Sequence, residues 1–214
     1  RQARIAADNL LGGTPIAYQG SLGTAILKVF DLAAATTGLN EKQLTAAKIP
    51  FLSTITHGGS HASYYPGAMP LTIKLLFSPE GRILGAQAVG ADGADKRIDV
   101  IATAIHAGLG VQDLAELELS YAPPFGSAKD PVNVAGYVAS NLLDGSLESV
   151  GWRDLQATRG LQLIDVRTSE EHELGSIRGA RNIALEALRE RLAELDPERP
   201  TVVFCQIGLR GYLA

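Results

Sequence analysis

An α+β domain built on an antiparallel sheet with helices, followed by a partial α/β domain with parallel strands, is the fold class that this 214-residue sequence predicts. Three observations lead there. "LTIKLLF" alternates, with Leu71, Ile73, Leu75 and Phe77 on one face, and "ILGAQAV" can return beside it after the Ser-Pro-Glu-Gly turn at 78–81, making an antiparallel hairpin. "DGSLESVG" is a polar joint. Beyond it come a short apolar strand "LQLIDV", an amphipathic helix "ALEALRERLAEL" and a second buried strand "TVVF", the order of a parallel sheet. The predicted domains are therefore 1–145 and 146–214.

The elements follow in chain order. "RQARIAADNLL" places Ile5, Asn9 and small alanines at helical spacing, and Gly12 and Gly13 stop it. "TAILKVF" is a strand candidate. An alanine-rich helix is expected from Asp31 to Gly38, and Asn40 with Gln43 forms a capping box that opens another helical turn or two. "FLSTIT" then reads as a strand. After the hairpin, "DKRIDVIATAIHAGLG" carries Ile98, Ile101, Ala102, Ile105 and Leu109 on one helical stripe, with acids at its start and Gly108 and Gly110 near its end. It should pack on the sheet. The extended "YAPPFGSAKDP" leads to Asp130, a good N-cap, and Pro131 at the first helical position of a helix that stops at Asp144-Gly145.

Composition narrows the function classes. Apolar residues make up 46% of the chain and charged ones 20%, which is ordinary for a globular protein with a real core. A net charge of −4 gives no basic surface of the kind that nucleic acid requires, and no apolar run reaches membrane-spanning length. The single cysteine excludes an internal disulfide framework and suits a reducing, cytoplasmic setting. Because Arg1 stands where Met is expected and the opening helix is already in mid-stride, the chain is expected to be a fragment.

Cys205 carries the clearest chemistry. It sits where the strand "TVVF" would hand over to a helix, and ligands of open α/β sheets bind at such carboxyl ends. Loop amides can converge on the sulfur and favour thiolate, so a depressed pKa and nucleophilic reactivity are expected. Gly208 permits the angles of a tight loop, and Arg210 can offer a planar fork to an oxyanion. The bland alternative is a small buried hydrophobe at a strand end.

Two resemblances enter here. "LIDVRTSEEHELGSIRGARNIAL" followed by "VVFCQIGLR" resembles a rhodanese homology domain: a strand ending in Asp165-Val166-Arg167, an acidic helix, the run Gly175 to Ala180, Asn182-Ile183 and then the cysteine loop. The resemblance implies a cysteine persulfide at Cys205. The spacing from Cys205 to Arg210 is similar to that of sulfur-transferring members, whereas phosphatases sharing the fold have a longer loop. It also implies further elements after residue 214, so the domain should be truncated and Cys205 loosely supported.

"GSLGTAILKVFDLAAATTGL", "HGGSHASYYPGAMP", "ILGAQAVGADGADKRIDVIATAIHAGL" and "YAPPFGSAKDPVNVAGYVASNLLDG" together resemble the dimerisation domain of the flavin-dependent pyridine nucleotide-disulfide oxidoreductases, in the coenzyme A-disulfide reductase and NADH oxidase branch, especially its rhodanese fusions. The resemblance implies a homodimer through residues 1–145, with FAD and NAD(P)H used by the intact enzyme and a coenzyme A disulfide, persulfide or polysulfide as substrate. It also implies that Tyr121 and either Tyr64 or Tyr65 reach the partner's flavin site. Phenols suit that task, since they donate hydrogen bonds to a developing thiolate while their rings exclude water. No histidine stands at Tyr121-Ala122-Pro123, where many relatives place one. Structural aromatics remain the alternative for each tyrosine.

Departures set limits. No G-x-G-x-x-G occurs, so no cofactor is expected in this piece by itself. No metal is expected: His57 and His61 have four-residue spacing but no acidic or cysteine partner nearby, and His106 and His172 read as helix-face residues. Two rivals stay open, a dimerisation or interaction module without catalysis of its own and a piece of an NADH oxidase.

Overall fold

The computed structural model describes residues 1–12, 15–157 and 160–214. Its elements run α1 (Gln2–Leu10), β1 (Ala25–Val29), β2 (Leu32–Gly38), α2 (Glu41–Ala47), β3 (Leu52–Gly59), β4 (Pro70–Phe77), β5 (Ile83–Gly90), α3 (Ala94–Ala107), α4 (Val111–Glu116) and α5 (Pro131–Leu143). After them come α6 (Trp152–Ala157), β6 (Gln162–Asp165), α7 (Ser169–Glu173), β7 (Arg181–Asn182), α8 (Leu185–Leu188), a 3-10 turn (Leu192–Glu194), β8 (Thr201–Phe204) and α9 (Leu209–Leu213). Gly12 follows α1 with φ +88°, and Gly13 lies outside the described residues.

The first sheet has the order β1-β2-β5-β4-β3, antiparallel throughout. Register explains its core. Leu71 faces Gly90, Ile73 faces Ala88 and Leu75 faces Ala86, which lines large side chains of β4 against small ones of β5 and leaves room for helices above. Ile98 and Ile101 of α3, with Val132, Ala135 and Ala139 of α5, fill that room. α5 begins as its sequence dictates: the Asp130 side chain accepts from the Val132 N–H at 3.0 Å, and Pro131 occupies the first turn. The capping box of Asn40 and Gln43 is present too. The short helix α4 meets α5 closely, and a Cβ on Gly136 would lie 2.5 Å from the Ala115 nitrogen, so only glycine allows that approach.

Two expectations fail. The segment 31–38 is not a helix but strand β2, because Phe30 (φ 52°) and Asp31 reverse the chain so that Val29 faces Leu32. Alanine's helical preference amounts to tenths of a kcal/mol per residue. Here β2 is hydrogen-bonded on both sides, to β1 and to β5, and Ala35, 4% exposed, packs beneath the helices. The long helix expected over "ALEALRERLAEL" is instead broken into α8 and the 3-10 turn. Tertiary ties explain the break: the Glu194 carbonyl accepts from Arg181 at 3.0 Å and the Asp196 N–H donates to Gln162 at 3.0 Å, which turns the chain toward β8.

The second sheet, β7-β6-β8, is parallel, with Ile164 facing both Arg181 and Val203. Ile164, Val166, Ile183 and Leu188 form its core. Among the described residues no helix is long and apolar enough to cross a membrane.

The stripe on α3 also holds a residue that periodicity did not select. Arg97 is 2% exposed. Its Nε and Nη2 donate to the two oxygens of Asp130 at 3.2 and 2.8 Å, while Nη2 and Nη1 donate to the carbonyls of Ser60 (2.8 Å) and Gly93 (3.4 Å). Removing one partner of such a pair strands the other charge. Arg97→Met is expected to lower unfolding free energy by roughly 3–5 kcal/mol, read by denaturation followed in the far ultraviolet. Fluorescence of the only tryptophan, Trp152, reports the other sheet's side of the chain and should shift less.

Candidate functional site

Two places gather the expected site residues. The first is built from the loops 60–69 and 121–130. Ser60 N–H donates to the Met69 carbonyl at 2.8 Å, closing the first loop, and Ala62 N–H donates to the Gly126 carbonyl at 2.9 Å, tying it to the second. Arg97 holds the base of both through Ser60 and Asp130. The result is a contact across 57 residues of sequence: the hydroxyls of Tyr64 and Tyr121 lie 3.0 Å apart. Both rings face solvent, Tyr64 at 74% and Tyr121 at 48% exposure. The Tyr64 hydroxyl, with a smaller contribution from burial, raises the Tyr121 pKa above the ordinary phenol value. Like any phenol, Tyr121 holds its proton at neutral pH with or without that shift.

Tyr65 is placed differently. Its ring packs edge-on against His61, with centroids 5.8 Å apart at 71°. His61 is 8% exposed and bonded to the Ser60 hydroxyl and the Pro66 carbonyl. His57 pairs with Thr72 at 2.9 Å. Among the described residues, no group of three or more His, Cys, Asp or Glu could hold a metal ion.

The second place is the cysteine loop. Cys205 is half-buried and packs on the second core. Gly208, at φ +95°, turns the chain so that its N–H donates to Sγ at 3.1 Å. Burial opposes ionisation, but the backbone N–H groups of Gly211, Ile207, Gly208 and Arg210 face the sulfur and together hold the thiol below its ordinary pKa. An open cleft of about 830 Å³ leads to it, lined by Trp152, Leu155, Ile177 and Phe204 with Arg167 and Arg178 among its polar groups. These ties come from the loop's own backbone, and α9, which follows it, buries no residue, with Leu209 61% and Leu213 63% exposed.

Arg210 departs from the expectation of an open fork. Its Nη1 and Nη2 lie 2.6 and 2.7 Å from the two carboxylate oxygens of Glu171. The guanidinium holds the Glu171 carboxyl down to about 2, and the Thr168 N–H adds to that effect. Behind the loop, Asp165 is fully buried. It accepts from Arg167 (2.7 Å) and the Ser176 hydroxyl (2.7 Å), and His172 Nδ1 lies 3.0 Å away. Burial alone would raise its pKa, yet these partners outweigh it and hold the carboxyl well below the carboxylate range. His172, expected to be an ordinary helix-face residue, is thus part of this network.

Arg97, Asp165, Glu171 and Ser176 were missed as site residues. A signal existed for Glu171: Thr168-Ser-Glu-Glu171 is a capping-box pattern, and both of its bonds are present in α7. None existed for Arg97.

The thiol's environment yields a measurable outcome. Thiolate is the reactive form, so a lowered pKa keeps alkylation fast below the pH at which a free cysteine, near 8.5, slows down. The rate of iodoacetamide modification of Cys205 against pH should have its midpoint below that value. A midpoint at or above it contradicts the convergent amides.

Comparison with known proteins agrees with this geometry. Residues 24–131, just over half of the chain, match the pyridine nucleotide-disulphide oxidoreductase dimerisation domain, and residues 152–214 match the rhodanese-like domain. The chain is 39% identical over 143 residues to the coenzyme A disulfide reductase of Staphylococcus haemolyticus (strain JCSC1435), covering 66% of this chain and 32% of that protein. It superposes on the structure of reduced Bacillus anthracis CoADR-RHD with a TM-score of 0.95 at 51% identity, covering 99% of this chain and 39% of the other. With an NAD-dependent persulfide reductase from A. fulgidus the TM-score is 0.86 at 38% identity, over 99% and 38% of the two chains. The chain spans about a third of the length of the curated relatives it matches. An antiparallel sheet presenting paired tyrosines, followed by a parallel sheet with a cysteine loop, thus places this chain in the pyridine nucleotide-disulphide oxidoreductase family, with its dimerisation domain joined to a rhodanese-like domain.

Proposed function

We propose that this chain is the C-terminal part of an FAD-dependent, NAD(P)H-consuming reductase of coenzyme A disulfide, persulfide or polysulfide, in which Cys205 carries sulfane sulfur. The proposal divides it into a dimerising portion, 1–145, and a sulfur-carrying portion, 146–214, in a homodimeric, cytoplasmic enzyme. One observation supports it above others: two loops far apart in sequence are tied so that the Tyr64 and Tyr121 hydroxyls meet on an exposed surface.

The residues of this chain do not fit as the holder of FAD or of the nicotinamide, since no Gly-rich phosphate loop is present. The cofactors would supply the two electrons of the net reaction, in which a disulfide, NAD(P)H and a proton give two thiols and NAD(P)+. The chain's own contribution is to the sulfur leaving group. A phenol is a weaker acid than a thiol, about 10 against about 8.5, so a tyrosine facing a departing thiolate donates a hydrogen bond and keeps its proton. Each phenol has one proton: where Tyr64 donates to the Tyr121 oxygen, the Tyr121 proton is left for the thiolate, and where Tyr121 donates to Tyr64, Tyr64 takes the donor's place.

At the other site, the Cys205 thiolate attacks the outer sulfur of a sulfane donor. The donor's S–S bond breaks, its electron pair leaves with the donor's inner sulfur, and Cys205 becomes a persulfide. The terminal sulfur of that persulfide is then available for reduction or for a second acceptor.

The test uses the full-length enzyme. NAD(P)H consumption should rise on adding coenzyme A disulfide, coenzyme A persulfide or polysulfide. Tyr121→Phe should lower kcat about 10- to 100-fold with little change in KM, the signature of an interaction made in the transition state, and Tyr65→Phe should change kcat less than twofold. NAD(P)H consumption indifferent to all three sulfur compounds removes the reductase reading in favour of an oxygen-reducing oxidase. Sulfur transfer from coenzyme A persulfide to cyanide at equal rates in wild type and Cys205→Ser removes the sulfur-carrier reading.

A further inference from the structure

The pair Glu171–Arg210 lies at the cysteine loop rather than beneath it. Its side chains are 35% and 30% exposed, and both carboxylate oxygens are engaged by the guanidinium fork. Glu171 is itself anchored, because the Thr168 N–H donates to the same carboxylate at 3.1 Å. The neighbouring cation, Arg167, is likewise closed on a carboxylate, that of the fully buried Asp165. Arg210, whose guanidinium also faces the Cys205 side chain, is thus answered by Glu171, and Arg167, which lines the same cleft, by Asp165. Arg178 also lines the cleft, contributed by the Gly175–Arg178 wall.

Donor chemistry makes this cancellation matter. When thiosulfate delivers its outer sulfur to a thiolate, the leaving group is sulfite with two negative charges, and an unpaired guanidinium beside the sulfur stabilises both its approach and its departure. When a protonated organic persulfide delivers its outer sulfur, the leaving thiolate carries one charge, and the backbone amides around Cys205 suffice. A paired Arg210 forfeits most of the first advantage and little of the second.

We infer that Glu171 sets the charge preference of the cysteine loop: by closing on Arg210 it turns the loop away from dianionic sulfur donors and toward donors with little charge at the reacting end. Glu171 is a positioning and specificity residue acting through Arg210. The inference deepens the sulfur-carrier reading of Cys205 and depends on it.

Cys205 is the only cysteine, so alkylation of the chain reads this loop alone. Second-order rates are measured with neutral iodoacetamide and with anionic iodoacetate at a pH where the thiol is ionised. In Glu171→Gln the ratio of iodoacetate to iodoacetamide rates should rise about fivefold at low ionic strength and return toward the wild-type ratio in about 1 M salt, as expected for one uncovered charge. Glu171→Asp, which keeps the charge, should stay within about twofold of wild type, and E171Q combined with Arg210→Gln should abolish the rise. Incubated with thiosulfate, E171Q should gain one sulfur by intact mass at lower concentrations than wild type.

A ratio unchanged in E171Q overturns the inference. So does an equal rise in the double variant. A loop that merely came apart would change both rates alike, leave the ratio at its wild-type value and likewise count against it. If instead the wild-type thiol reacts with iodoacetamide at neutral pH no faster than a cysteine in an unstructured peptide, the sulfur-carrier reading itself fails, and the charge preference falls with it.

Discussion

The guanidinium of Arg97 governs the tyrosine-bearing half of the structure. A buried cation costs several kcal/mol unless its surroundings answer it, and here the answer comes from Asp130 and from the carbonyls of Ser60 and Gly93. Those acceptors sit at the base of the loop carrying Tyr64, at the turn entering α3 and at the start of α5, immediately after the loop carrying Tyr121. Moving any of them would leave a charge or a carbonyl without its partner. The position of two exposed hydroxyls is thus decided by an ion pair they never touch. Gly93 belongs to the same constraint, since a Cβ there would meet Arg97 Nη1 at 2.3 Å.

The second half uses the opposite charge for the same purpose. Asp165 is a buried anion at the end of β6, and it collects Arg167, Ser176 and His172 from the segments that follow. Asn182 adds to the arrangement by donating to the carbonyls of Asp165 and Arg167 at 3.0 and 2.9 Å. The carboxylate fixes where α7 begins, α7 presents Glu171, and Glu171 fixes Arg210 beside the cysteine loop. Electrostatics passes from a buried group to a reactive one through short steps. Buried ion pairs of this kind are weak evidence for stability but fit a role in specifying one geometry.

Both sites are therefore built alike, with a costly buried charge beneath loops whose working groups face outward. The division suits their chemistry. The phenols and the thiolate must be accessible to sulfur compounds, while the groups that position them are protected from competition by water, where electrostatic interactions are stronger.

Much of this was legible in the residue order. Alternation over Leu71 to Phe77, the Ser78–Gly81 turn, the cap at Asp130 with Pro131, and the cysteine after "TVVF" each follow from local rules, because spacing, caps and turns act within a few residues. The family resemblance named Tyr121, and with it Tyr64 or Tyr65 without ranking those two. Which of them meets Tyr121 depends on a bond between Ala62 and Gly126, and no local pattern contains it. The strand at Leu32–Gly38 was hidden because alanine favours helix when isolated, and only pairing on both sides reverses that weak preference. Arg97 was hidden because an arginine on a helix is ordinarily solvated, and its burial becomes affordable only when Asp130 arrives from 33 residues away. Residue order determined the elements and the reactive groups. Tertiary contact decided which of those groups meet, since charge pairing and strand pairing are made between segments that the chain brings together only on folding.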